Sequence, residues 1–136
     1  MTIPLLPAFL VFLGGGAGSL ARYMIAVVVD NARARPGPAE FPIATLIVNV
    51  VGCAIIGSLA GWAAGRELWR HGLLLGFLGG FTTFSSFGLD TARLLAAGAP
   101  GKAAIYVLAT NVAGIGLAIL GFYLSGAATR PPFVPE

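Results

Sequence analysis

The sequence predicts an all-α membrane protein with four spanning helices, and three observations carry that prediction. Hydrophobic residues fill 57% of the 136 positions and charged residues only 10%, against roughly a quarter charged in soluble domains. The mean hydropathy is +0.91. The apolar residues also fall into four separate runs; a spanning helix needs about 20 of them, so four spans use most of the chain. No room is left for a soluble catalytic domain. A net charge of +3 is too small to point to nucleic acid.

The first run covers residues 8–29 and is interrupted only by Arg22. No positively charged segment precedes it, as a cleavable signal peptide requires, so it is expected to remain as a helix. Residues 30–40 (DNARARPGPAE) are polar and proline-rich and read as a surface loop. The second run, residues 42–64, contains one strongly polar group, Asn49. Its Cys53 is the single cysteine of the chain, which excludes an intrachain disulfide and leaves a small hydrophobe. A short link at 66–71 leads to the third run, 72–97, and a second link at 98–102 leads to the fourth, 103–124. Residues 1–126 therefore form one transmembrane unit, and the proline-rich polar tail at 127–136 is expected to be poorly ordered.

Glycines recur at helical spacing: Gly14 and Gly18; Gly57, Gly61 and Gly65; Gly72, Gly76 and Gly80. Small residues four apart let helix backbones approach closely, which is how packing is achieved in lipid. They imply a compact bundle or a close dimer. The cations are nearly balanced across the membrane. Arg66, Arg70 and Arg130 fall on one side and Arg33, Arg35, Arg93 and Lys102 on the other, with Arg22 able to reach that second side. Orientation follows an excess of Lys and Arg on the cytoplasmic side. A bias this small leaves insertion in both directions, and an antiparallel homodimer, open.

The third run is a poor helix at its centre. GGFTTFSSF (79–87) packs two glycines, two threonines and two serines into nine residues. It is expected to break mid-membrane near residues 79–83. Backbone that leaves helical geometry at membrane depth must be buried in protein or line a cavity, and broken helices mark ion and substrate sites in transporters. The alternative is a kinked helix whose hydroxyls bond back to preceding carbonyls. Phe81, Phe84 and Phe87 recur every three residues and are expected on roughly one side. Alone they read as core packing. Interleaved with Thr and Ser, they could instead line a narrow anion path with ring edges and hydroxyl donors.

Two further polar features lie within the spans. Asn49 either bonds between helices or faces a water-filled path. Tyr106, Thr110 and Gly114 are four apart on one face of the fourth run, with Asn111 beside Thr110. Asp90, near the end of the third run, is the only acid inside a span. Proton-coupled cation transport needs a carboxylate deep in the bundle; neutral donors suit an anion.

These segments together resemble the Fluc (CrcB) family of bacterial fluoride channels. The match is carried by GGGAGSLARY (14–23), ATLIVNVVG (44–52), GFLGGFTTFSSFGLD (76–90) and the Tyr106/Thr110 stripe, in the family's order and in all four spans. The resemblance implies an antiparallel, dual-topology homodimer in the cytoplasmic (inner) membrane, passively exporting fluoride through two pores to relieve its toxicity. It implies that Phe84 and Phe87 are pore phenylalanines and that Asn49 donates to fluoride. Tyr106 and Thr110 would form a polar track, Ser85 and Ser86 would contribute to it, and Arg22 would stand at the vestibule. It further implies a structural sodium ion at the dimer centre, held by the backbone carbonyls of Gly79 and Thr82. Gly114 departs from relatives with a serine on the track, and Asp90 from a common glutamate, which leaves the ion path open at those points.

Other readings are weaker. A small four-span multidrug transporter needs a carboxylate in the first span, and residues 8–29 have none. A non-transporting packing subunit has no use for a hydroxyl-rich break. An intramembrane enzyme would need more than His71, the only histidine, which lacks an evident Ser or Asp partner.

Overall fold

A computed structural model describes residues 4–33, 37 and 39–127. Among them the regular structure is helical throughout, with no strand. Four helical spans, Leu5–Asn31, Ile43–Ala63, Glu67–Ala96 and Pro100–Leu124, are long and apolar enough to cross a membrane, which makes this a multi-pass membrane protein. The expected tail at 127–136 lies, apart from Ala127, outside the described residues, as do Arg35 and Arg130.

Helix α1 is Leu5–Asn31 and α2 is Ile43–Ala63. Gly65, which the sequence spacing placed with Gly57 and Gly61 on one helix, lies beyond the end of α2 with φ +75°, a left-handed conformation that glycine adopts without a Cβ penalty. The third span is composite. It begins with a helical turn α3 (Glu67–Trp69), widens into a π-helical stretch Arg70–Leu78, and closes with α4 (Gly79–Phe81). The widening is visible where the Gly79 N–H donates to the Leu74 carbonyl five residues back. Thr82 (φ −78°, ψ 157°) and Thr83 (φ −152°, ψ 115°) are extended, and helix α5 (Phe84–Ala96) resumes beyond them. Helix α6 is Pro100–Leu124, with proline at its first position, where a missing N–H costs nothing.

Glycine sets the packing. Helix α1 lies against the first half of the third span. A Cβ at Gly14 would overlap the Gly72 carbonyl, one at Gly18 the Phe77 carbonyl, and one at Gly80 the Gly15 carbonyl. Helices α2 and α6 pair in the same way: a Cβ at Gly57 would overlap the Ala118 carbonyl, and one at Gly121 would come within 2.6 Å of the Ser58 nitrogen. Helix α5 closes on α6 through a small core of Phe87, Leu94, Ala103 and Tyr106, with Phe41 and Leu46 packed on it.

The loop between α1 and α2 is pinned to this end of the bundle. Arg33 pairs with Glu40 at 2.8 Å and donates to the Phe41 carbonyl at 2.9 Å, and Lys102 donates to the Ala39 carbonyl at 2.9 Å. That places Phe41 edge-on against Tyr106, ring centroids 5.6 Å apart.

Candidate functional site: the clefts at the third-span break

The break positions the site because its freed backbone groups are taken up by side chains. Thr83 caps α5: its Oγ1 accepts from the Ser86 N–H at 3.2 Å and lies 3.1 Å from the hydroxyls of both Ser85 and Ser86. From α2, Asn49 spans the extended residue. Its Nδ2 donates to the Thr83 carbonyl at 3.0 Å, and its Oδ1 accepts from the Thr83 N–H at 2.8 Å. Thr82 turns its hydroxyl back onto the Leu78 carbonyl at 2.9 Å.

Four carbonyls, those of residues 79–82, consequently lose their helical donors. In a continuous helix the Thr83 N–H would serve the Gly79 carbonyl, and the Ser86 N–H would serve that of Thr82. Here the first goes to Asn49 and the second to the Thr83 hydroxyl. Carbonyls freed in this way, those of Gly79 and Thr82 among them, are oxygen donors of the kind a hard cation accepts.

Two clefts meet at Thr83. The larger, about 440 Å³, is walled by α2, the break and α6, and its lining includes Asn49, Cys53, Thr82, Phe84, Phe87 and Thr110. The smaller, about 290 Å³, takes Ser19 and Arg22 from α1, Thr45 from α2, and Ser86 from α5. The sequence-derived residues therefore divide. Asn49, Gly79, Thr82, Phe84, Phe87 and Thr110 share the larger cleft; Arg22 and Ser86 share the smaller. Ser85 lines neither, and Tyr106 is sealed beneath Phe41 and Phe87 with no exposed surface.

The three phenylalanines do not share a side. Phe81 is buried and stacks on Phe77, with centroids 5.9 Å apart and planes at 10°. Phe84 and Phe87 lie beyond the extended residues, 5.5 Å from each other, with Phe87 5.2 Å from Tyr106. Spacing of three predicts one face only while the helix is continuous, and Thr82 and Thr83 interrupt it. Phe84 is 81% exposed in the single chain, whereas Phe87 is buried.

Two polar atoms at the site stay unmatched. The hydroxyl oxygen of Thr110 and the Nε of Arg22 are buried without a hydrogen bond. Buried polar groups are nearly always satisfied, and these two exceptions belong to residues lining the larger and the smaller cleft. Sequence reasoning missed Thr45, whose hydroxyl donates to Asp90 Oδ2 at 2.7 Å while Arg93 lies 3.5 Å from Oδ1. Thr45 lies one helical turn before Asn49, and that i, i+4 relation was the signal available for it.

Residues 9–122 match the model of the family described as CrcB-like protein, Camphor Resistance (CrcB). The chain belongs to the CrcB-like family. Among its relatives, a protein of Methylobacillus flagellatus named fluoride-specific ion channel FluC is 43% identical over 119 residues, which is 85% of this chain and 91% of that protein. A Thermus thermophilus protein of the same name is 43% identical over 123 residues, covering 87% and 94%. One from Nitrobacter hamburgensis, fluoride-specific ion channel FluC 2, is 38% identical over 125 residues, covering 89% and 94%. The CrcB-like match spans all four helices, so the break and both clefts fall inside it.

Proposed function

We propose that this CrcB-like protein is a fluoride-selective channel, not an enzyme, that passively exports fluoride across the cytoplasmic membrane and so relieves fluoride toxicity. The observation that carries the reading is the larger cleft, where an Asn amide, the unmatched Thr110 hydroxyl and two phenylalanines stand together beside broken backbone. Fluoride is small and strongly hydrated, so it enters a low-dielectric path only where donors replace its water. The Asn49 amide has two N–H groups and gives one to Thr83; the other is available to the ion. Thr110 and Tyr106 carry donors further along α6, and Ser85 and Ser86 add hydroxyls at the start of α5.

The phenylalanines supply selectivity. Aromatic edges are weakly positive and meet an anion without a full opposite charge. Conduction needs sites weak enough to leave, and a fixed guanidinium in the narrow part would hold fluoride too tightly. Arg22 belongs to the neighbouring cleft, where it concentrates anions at the vestibule.

The working unit in this reading is an antiparallel homodimer. Phe84, 81% exposed on one chain, would be covered by the second copy, and the small cation bias between the two sides is compatible with insertion in both directions. The carbonyls of Gly79 and Thr82, paired with those of the second copy, would hold the structural sodium, whose contribution is a fixed positive potential near the path.

Purified protein in liposomes loaded with fluoride, read with a fluoride electrode, tests the proposal. Fast fluoride release with no chloride leak is the expected result. Folded dimers that release neither ion would reduce the break to a packing feature.

A further inference from the structure

We infer that Cys53 is a thiol site on the wall of the fluoride path, able to take a soft, thiophilic cation such as an organomercurial, and that its occupation blocks conduction. This rests on the channel reading above. Cys53 lies one turn beyond Asn49 on α2 and lines the same cleft of about 440 Å³. Directly across, Gly114 lies one turn beyond Thr110 on α6. A Cβ placed on Gly114 would come 3.3 Å from the Cys53 Sγ, so the sulfur occupies the notch that the missing side chain leaves. The third rung of the Tyr106–Thr110 stripe is therefore filled from the opposite helix, by a thiol.

A second observation marks this stretch of wall as a place for a ligand. Thr110 is 9% exposed, lines the cleft, and has no hydrogen-bond partner for its hydroxyl. A residue with an unmatched hydroxyl and one with a thiol thus line the same cleft, on facing helices. Cys53 is also only partly buried, so a compact reagent in the cleft can reach it. With methylmercury chloride the Sγ–Hg bond forms, the Hg–Cl bond breaks, and the thiol proton leaves with chloride. The product is a heavy group projecting between α2 and α6.

The chain has one cysteine, so the chemistry is specific without further engineering. Fluoride efflux is measured from liposomes of the full protein before and after methylmercury chloride, with the adduct counted by intact mass. The expected result is one adduct per chain, a fall in efflux of about tenfold or more, as for an obstructed narrow pore, and recovery on adding excess free thiol. Cys53→Ser should show the same efflux with and without the reagent. Full mercuration with efflux undiminished, or no adduct on the folded protein, overturns the placement of Cys53. Absence of fluoride release before any reagent is added overturns the channel reading itself, and is distinguishable because it precedes the chemistry.

Discussion

Asn49 holds Thr83 by both of its backbone groups, donating to the carbonyl at 3.0 Å and accepting from the N–H at 2.8 Å. The amide thus replaces the helical partner that the Thr83 N–H lost, and adds a second donor to a carbonyl that also starts α5. It also ties α2 to the point where the third span leaves helical geometry. Asn49 also lines the larger cleft, so in the proposed channel it has two roles, holding Thr83 and offering its remaining N–H to the ion.

Replacing Asn49 separates these roles only in part. Asn49→Leu strands the Thr83 N–H, a buried orphan costing about 1–3 kcal/mol, and takes the second donor from its carbonyl. Asn49→Asp keeps an acceptor for the Thr83 N–H but has no donor for its carbonyl or for the ion. Both variants are expected to lose fluoride efflux. Asn49→Asp should unfold at a higher temperature than Asn49→Leu in a detergent thermal melt. Efflux retained by Asn49→Asp would remove the amide from the ion path.

Phe84 and Phe87 make a sharper pair because their burial differs. Phe84 is 81% exposed in the single chain and Phe87 is buried against Tyr106. Phe84→Ile should leave the fold of the subunit within about 0.5 kcal/mol, whereas Phe87→Ile should cost about 1 kcal/mol or more through lost ring packing. Both should abolish efflux while gel filtration shows the same elution as the unsubstituted protein. Undiminished efflux in both would end the aromatic-path mechanism.

Thr45 and Asp90 form a charge-assisted hydrogen bond of 2.7 Å joining α2 to α5. Such bonds contribute about 1.5–3 kcal/mol. Thr45→Val, which keeps the shape and removes the donor, should lower stability by that order. It should also slow efflux, because α2 and α5 both wall the two clefts and lose the bond that joins them. Thr45→Ser restores the hydroxyl and should recover most of both. Efflux and thermal melting measured on the two variants decide the matter; equal behaviour of Val and Ser would leave the bond without consequence.

The four spans were legible because hydropathy and length dictate them regardless of tertiary detail. The extended conformation of Thr82 and Thr83 has a local signal too, since glycine, threonine and serine are poor helix formers. What the sequence hid is long-range. The π-helical stretch Arg70–Leu78 is a backbone widening with no side-chain periodicity of its own. Phe81 parted from Phe84 because two extended residues reset the phase that a spacing of three assumes. Thr45 looked like any threonine near a helix start until α5 brought Asp90 to it. Cys53 reads as a small hydrophobe until Gly114 on the facing helix gives it a cleft.

The glycines offer a test of the packing that is independent of ion flow. In α1, Gly14, Gly16 and Gly18 lie within five residues, yet their surroundings differ. A Cβ at Gly14 would overlap the Gly72 carbonyl and one at Gly18 the Phe77 carbonyl, while one at Gly16 meets nothing within 4 Å. The obstructing atoms are backbone, which cannot rotate away as a side-chain end can. Gly14→Ala and Gly18→Ala should each force α1 off the third span at a cost of about 1–3 kcal/mol, the usual range for overpacking. Gly16→Ala adds a methyl to open space and removes a flexible residue from a helix interior, so it should be neutral or stabilise by up to about 1 kcal/mol. Thermal melting of the three variants in one detergent gives the ordering directly. Equal loss in all three would mean that α1 tolerates no added bulk anywhere, and that the close approach at Gly14 and Gly18 does not set how the third span is held.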